Sequence, residues 1–265
     1  MDIRSFQLRL LPILLWFHNF CVHNNLLYYI VGGTMLGAFR HQGFIPWDDD
    51  MDVAMPRSDY RRFINLTKGH RFGDYIVESL ADERKDYWYP FAKVYDTSTT
   101  LIELVHPTLI RGIYLDVFPI DGAGFTVQHA CDIKSKLNKL WHKRHHLKSL
   151  SDMASKISSH LMPSNKTLMR DIDELLSFFP YDSSELVGRL CRPGFNEIMP
   201  KKIYGEPKPY RFEDITVYGV ADPHSYLTAM YGDYMKLPPE KEQVGHHLTR
   251  CKCIIDKPFL LHNPL

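Results

Sequence analysis

Cysteine, net charge and long apolar runs are all scarce in this sequence, and each would otherwise indicate a particular class of protein. The sequence has five scattered cysteines in 265 residues, an odd number that argues against a disulfide framework and favours a reducing compartment. Its net charge is only +1, so no overall positive field indicates a nucleic-acid partner. The apolar run LLPILLWF (10–17) is too short to span a bilayer, and no small-residue cleavage site follows it. We therefore predict an amphipathic helix there rather than a signal peptide.

The composition that is present, 45% hydrophobic and 24% charged, predicts a folded core. The pattern of apolar residues predicts one mixed α/β domain over 1–265, with a core in 1–125, a helical insertion in 126–200 and a return to the core with an irregular tail in 201–265. We predict helices over 3–24, 34–40, 58–68 and 223–232, helix without strands over 127–192, and strands over 26–31, 50–55, 75–79, 89–96, 99–104, 113–120 and within 209–220.

A dense group of acids stands in an otherwise apolar part of the chain. Four carboxylates, Asp48, Asp49, Asp50 and Asp52, lie within five positions. Such neighbours repel each other by roughly 1–4 kcal/mol per pair at ~4 Å. Residues i and i+2 of a strand share a face, so the predicted strand 50–55 would point Asp50 and Asp52 the same way. Two carboxylates on one face can hold a hard divalent cation such as Mg²⁺.

A third carboxylate is expected from a neighbouring strand. Asp116 is a lone acid in the apolar stretch IYLDVFPI (113–120), where an unpaired charge would be costly. Its alternative role is a buried cap or ion pair, and Asp48 and Asp49 could equally cap the entry to the strand. Gly32, Gly33 and Thr34 end one predicted strand and open a helix, which is a typical anion site for backbone N–H groups.

Three basic side chains near these motifs are candidates for binding a phosphate. Arg40 would offer a fork of donors, with His41 beside it, or would instead pair with an acidic neighbour. Lys93, on a predicted strand, would reach a phosphate or pair with Asp96.

Two further groups stay open. The spacing of His246, His247, Cys251 and Cys253 matches no standard zinc pattern, although the two histidines could lie near a phosphate pocket. The stretch 134–148 holds six Lys or Arg, three His and no acid. It is either a solvated helix face or a patch for an anionic membrane surface or a phosphate-bearing acceptor.

The acidic motif and its flanks resemble a known family. GGTMLGAFRHQGFIPWDDDMDVAMPRSDYRRF (32–63) resembles the signature of the LicD family, phosphocholine transferases that decorate bacterial surface glycans and share a core with fukutin. The likeness continues through YLDVFPIDG (114–122), YRFEDITV (210–217) and YLTAMYGDYMKLPP (226–239). It implies a fold similar to nucleotidyltransferases of the polymerase β type, a mixed sheet flanked by helices with a helical insertion.

The resemblance also implies roles for residues. Asp50, Asp52 and Asp116 would be the catalytic carboxylates and, with Asp48, would hold Mg²⁺ or Mn²⁺. The residues expected to bind the donor are Gly32, Gly33, Thr34, Arg40, His41 and Lys93.

The implied activity is transfer of an alcohol phosphate, in the first place phosphocholine from CDP-choline, to a hydroxyl of a glycan or lipid-linked glycan. The acceptor would be a teichoic acid or lipopolysaccharide precursor, and the enzyme would be cytoplasmic, at the inner face of the membrane. The alternatives are a CDP-ribitol-type phosphotransferase, a nucleotidyltransferase acting on a small acceptor, and a non-catalytic nucleotide-binding module. The third acid argues against the last, because a module that only binds does not need it.

Overall fold

The structure is a computed structural model that describes residues 2–82, 87–103, 110–155, 165–192, 194–245 and 251–254. The helices are α1 (Ile3–His23), α2 (Gly32–His41), α3 (Arg57–Thr67), α4 (Val127–Ser155), α5 (Lys166–Leu176) and α6 (Pro223–Tyr231). The strands are β1 (Tyr29–Ile30), β2 (Asp52–Pro56), β3 (Arg71–Phe72), β4 (Tyr75–Glu78), β5 (Ala92–Glu103), β6 (Ile110–Gly124), β7 (Leu186–Gly188), β8 (Ile198–Pro200), β9 (Lys208–Phe212), β10 (Ile215–Gly219) and β11 (Cys251–Ile254).

The strands form a mixed sheet in the order β3-β4-β5-β6-β2-β1-β10-β9. Two pairs in it, β2 with β6 and β1 with β10, are parallel, and the other neighbours along this order are antiparallel. Off this order, β11 pairs with β5, while β7 pairs with both β6 and β8. The prediction of a mixed α/β fold is confirmed.

The centre of the sheet is covered by helices. Every residue of β2 is buried, as expected for a strand that has side chains packed on both faces. Helix α1 lays Phe17 against Phe63 of α3, with ring centroids 5.3 Å apart. Pro12 lies inside α1, which nevertheless runs continuously from Ile3 to His23. Across the described residues, no helix combines the length and apolar character that crossing a bilayer requires.

A largely buried group of ion pairs connects α3, the sheet strand β6 and helix α5. Arg57, at the start of α3, donates from Nε and Nη2 to the two carboxylate oxygens of Asp121 on β6, at 2.6 and 2.7 Å. Its Nη1 donates to Asp173 on α5 at 2.8 Å. Burial alone would raise the pKa of Asp121, and Arg57 opposes this by favouring the charged carboxylate.

Several predicted boundaries were wrong. Strand β2 begins at Asp52, so Asp50 precedes the strand instead of lying on it. The stretch predicted to be helical without strands contains β7, and the tail predicted to be irregular contains β11. The two strands predicted over 89–96 and 99–104 form one strand, β5, whose pairing with β6 shifts register between Asp96 and Leu101. Strands of three or four residues are too short to carry a readable period.

Candidate functional site

The parallel pairing of β2 with β6 brings two of the predicted acids side by side. Asp52 and Asp116 are direct partners in this register. Partners on adjacent strands point to the same face of the sheet, so both carboxylates lie on one side. Thr34 fixes the start of β2, because its Oγ1 accepts a hydrogen bond of 2.8 Å from the backbone N–H of Asp52.

The loop before β2 adds two more acids to this point. Burial raises the pKa of Asp48, and so does Asp50, which lies within hydrogen-bonding reach of it. Burial likewise raises the pKa of Asp52, with Asp50 adding to this and the nearby Arg189 opposing it. The carboxylates of Asp48, Asp50, Asp52 and Asp116 therefore lie close together in a partly buried space, where their negative charges repel one another.

Two cations already lie against this group. Arg189 donates from Nη1 to Oδ2 of Asp52 at 3.0 Å. Lys93 donates to Oδ1 of Asp116 at 2.5 Å, so the alternative that it pairs with Asp96 was wrong. Its ammonium also lies over the Tyr114 ring, 3.5 Å from the centroid. The ammonium of Lys93 thus neutralises the carboxylate of Asp116 and packs against an aromatic ring.

The four carboxylates are suitable metal ligands by type, but they are not arranged as a complete metal site. Among the side chains that the structure describes, no set of three or more His, Cys, Asp or Glu is arranged to hold a metal ion. The ligand type is nevertheless suitable, since carboxylate oxygens are what Mg²⁺ prefers, and the pKa values of Asp48 and Asp52 are raised by burial and, after that, by the neighbouring carboxylate of Asp50. The metal roles of Asp48, Asp50, Asp52 and Asp116 stay predictions.

The sequence analysis did not identify Arg189, the cation nearest to Asp52. Arg189 follows β7 and is 1% exposed. Its Nε and Nη2 donate to the two oxygens of Glu197 at 2.8 and 2.7 Å, and its guanidinium lies 4.9 Å from the Phe118 ring centroid. The available signal was a lone cation within the apolar stretch LVGRLC (186–191), similar to the lone acid that identified Asp116.

The turn before α2 is shaped by its two glycines. Gly32 has φ of +58°, a conformation that favours glycine, and its N–H donates to the Tyr226 hydroxyl at 3.0 Å. A Cβ on Gly33 would lie 2.5 Å from Oδ2 of Asp48, so a larger residue at this position would displace that carboxylate. The predicted anion cradle therefore faces the acidic group, and its binding role stays a prediction.

A cleft of about 520 Å³ opens next to Gly33 and Asp48. Arg40 lies on its wall, held by a hydrogen bond of 2.6 Å from Nη1 to the carbonyl of Tyr234. His41 accepts from Arg40 Nε but lines a different cavity, together with Arg4 and Glu213. The remaining cleft residues are mostly aromatic, apolar or acidic: Leu36, Ile45, Trp47, Tyr231, Asp233, Tyr234, Lys236, Leu237, Pro238, Pro239, Glu242 and Val244.

The predicted histidine and cysteine group falls largely outside the described residues. His246 and His247 lie between the described ranges. Cys251 and Cys253 belong to β11, of which only the backbone pairing with β5 is described.

The site thus combines a mixed sheet, carboxylates on and before adjacent strands, and a glycine turn that opens a helix. A family model described as "LicD/FKTN/FKRP, nucleotidyltransferase domain" matches residues 25–165. The chain belongs to this family, which confirms the resemblance inferred from residues 32–63.

One relative that covers nearly the whole chain agrees with the family match, and two others match a short part of it. The chain is 28% identical over 261 residues to the lipopolysaccharide cholinephosphotransferase LicD of Haemophilus influenzae, covering 94% of this chain and 97% of that protein. An uncharacterized protein of Rickettsia typhi is 48% identical over 46 residues, which is 17% of this chain and 15% of that protein. An uncharacterized protein of Rickettsia prowazekii is 50% identical over 42 residues, 16% of each chain.

Proposed function

We propose that this protein transfers phosphocholine from CDP-choline to a hydroxyl of a lipopolysaccharide or teichoic acid precursor. The observation that carries the proposal is the meeting of Asp48, Asp50, Asp52 and Asp116 beside a cleft, in a chain that matches a cholinephosphotransferase along nearly its whole length. A cytidine diphosphate donor brings two phosphates to this point, and the acceptor is a glycan or lipid-linked glycan.

The proposed donor needs a counter-charge, because its pyrophosphate would otherwise face four carboxylates. We propose that Asp48, Asp50, Asp52 and Asp116 hold Mg²⁺ or Mn²⁺. When bound, the ion would neutralise the phosphate charge and stabilise the charge that builds up on the leaving group. Arg189 and Lys93 keep Asp52 and Asp116 in place and offset their charge when no substrate is present.

The proposed reaction exchanges one P–O bond for another and transfers one proton. The acceptor hydroxyl oxygen attacks the phosphorus that carries choline, and the bond from that phosphorus to the bridging oxygen of CMP breaks. CMP leaves with the bridging oxygen, and the hydroxyl proton passes to the carboxylate of Asp116. Arg40 and the α2 amides beyond Gly32 would orient the donor phosphates, so catalysis is mostly positioning and electrostatics.

The products decide between this reaction and its nearest alternative. With CDP-choline, Mg²⁺ and a lipopolysaccharide-derived acceptor, we expect free CMP and an acceptor heavier by one phosphocholine, because attack falls on the distal phosphorus. Mass spectrometry of the acceptor and chromatography of the nucleotides measure both products. We expect chelation by EDTA to stop the reaction and added Mg²⁺ to restore it.

Other outcomes would assign other functions. A cytidylylated acceptor with free phosphocholine would identify a nucleotidyltransferase. Turnover of CDP-ribitol in place of CDP-choline would identify a ribitol phosphotransferase. Tight donor binding without any product, across a panel of acceptors, would contradict transfer and favour a nucleotide-binding module.

The cleft offers a place for the choline group of the proposed donor. Its wall combines the rings of Trp47 and Tyr231 with the acids Asp233 and Glu242. Aromatic faces attract a quaternary ammonium, by about 0.5–2 kcal/mol each, and nearby carboxylates add to this attraction. We propose that Trp47 selects choline over a primary amine.

Replacing Trp47 with Ala tests that role. We expect kcat/KM for CDP-choline to fall roughly 10-fold, because one ring of the ammonium site is lost. CDP-ethanolamine, with a smaller and more strongly hydrated ammonium, should lose much less, and Trp47→Phe should retain most of the preference. Steady-state kinetics with both donors measure the ratio, and an equal loss for both donors would show that Trp47 only shapes the cleft.

A further inference from the structure

Helix α4 presents one exposed stripe that combines cations with apolar side chains. Lys136, Lys139, Lys143 and His146 are exposed and are followed by Leu150 and Met153, which are 43% and 63% exposed. Steps of three and four residues alternate along this series, so all six positions fall on one side of the helix. Asp132, which accepts from Gln128 at 2.8 Å, is the acid at the N-terminal end of the stripe.

The opposite side of α4 packs against the core and donates hydrogen bonds to the backbone of other segments. Ile133 and Leu137 are buried in the core. Lys134 donates to the carbonyls of Leu190 and Arg192, and Arg144 donates to the carbonyl of Trp88 at 2.8 Å. Two of the six cations in 134–148 therefore hold the fold together, and the exposed stripe is narrower than the sequence indicates.

We infer that this stripe docks on an anionic lipid bilayer. Lysines near an anionic membrane surface are attracted to it, and apolar side chains beside them can enter the boundary between headgroups and acyl chains. The series provides both groups in order, with three lysines and a histidine over three turns and then Leu150 and Met153 over the next. Exposed apolar side chains in line with cations favour a membrane over a purely charged partner.

Vesicle binding by the full chain tests the inference. Wild-type protein should bind vesicles of phosphatidylcholine with about 30% phosphatidylglycerol, and should bind pure phosphatidylcholine far less. Lys139→Gln with Lys143→Gln should weaken binding about 30-fold at low salt, because two positive charges that attract the anionic lipid are removed. Leu150→Ser with Met153→Ser should remove the part of the binding that resists salt, since burial of apolar side chains is not screened. Co-sedimentation over a range of lipid concentrations measures all of these affinities.

A matched charge control separates the stripe from net charge. Lys68→Gln with Lys202→Gln removes two exposed cations from other elements, and should leave vesicle binding within about 2-fold. Equal weakening by both double variants, or equal wild-type binding to neutral vesicles, would overturn the inference. Binding to a short single-stranded RNA with the same loss in the stripe variant would also overturn it. The inference does not rest on the proposed activity, because donor turnover with a water-soluble acceptor should be unchanged in every variant.

Discussion

Replacing Asp52 with Asn should reduce phosphocholine transfer by about 10³-fold while the protein stays folded. The loss is expected because Asp52 lies at the centre of the acidic group, in register with Asp116 and close to Asp50. Charged groups that stabilise a transition state in a water-excluded site typically contribute factors of this size. Without a metal ion, the variant should be as stable as the wild type or slightly more stable, because the lost repulsion between carboxylates offsets the lost charge pair with Arg189, which keeps its two bonds to Glu197. Product formation and urea unfolding measure the two effects.

Asp49→Asn is the matched control for this substitution. Asp49 stands in the same acidic run and is 2% exposed, but a Cβ on Gly245 would lie 2.5 Å from its Oδ2, so its carboxylate faces the C-terminal part of the chain. We expect this variant to retain transfer and to keep the thermal stabilisation by Mg²⁺ that Asp52→Asn should lose. If Asp52→Asn kept near-normal activity, the metal-assisted mechanism would be wrong.

The parts of the fold that the sequence predicted well are long or carry strong local signals. Helix α1 covers almost the predicted range, because its apolar residues recur over twenty-one positions. The proximity of Asp52 and Asp116 was also expected, because a metal site needs a further carboxylate from a neighbouring strand and Asp116 is the lone acid in its stretch. Which strand lies next to which is not encoded locally, but in this case the expected set of metal-binding carboxylates indicated it.

Other parts depend on contacts between distant segments. Arg189 meets Asp52 across 137 positions of sequence, and it follows a strand of only three residues that has no readable period. The partner of Lys93 could not be read from spacing either, because Asp96 lies closer in sequence while Asp116 lies opposite it in the β5–β6 register. Sequence patterns thus identified the acids and Lys93, whereas Arg189 and the partner of Lys93 emerged only from the fold.

Replacing Arg189 with Met should lower the free energy of unfolding by about 3–5 kcal/mol. The guanidinium is fully buried and makes two hydrogen bonds to Glu197, so its removal leaves an unpaired carboxylate inside the protein. Adding Glu197→Met should restore much of the lost stability, because replacing a buried pair with apolar side chains is often neutral. Urea unfolding of the single and double variants measures the recovery.

The same double variant tests whether Arg189 acts on the site. With Arg189 absent, Asp52 loses the cation 3.0 Å from its Oδ2, so transfer should stay reduced by roughly 100-fold even after stability returns. Arg57→Met is the matched control, since it breaks the buried pair with Asp121 at a comparable cost in stability and should leave turnover per folded molecule nearly unchanged. Full transfer activity in the Arg189→Met, Glu197→Met variant would limit Arg189 to supporting the fold. A loss that persists would make Arg189 a positioning residue for Asp52.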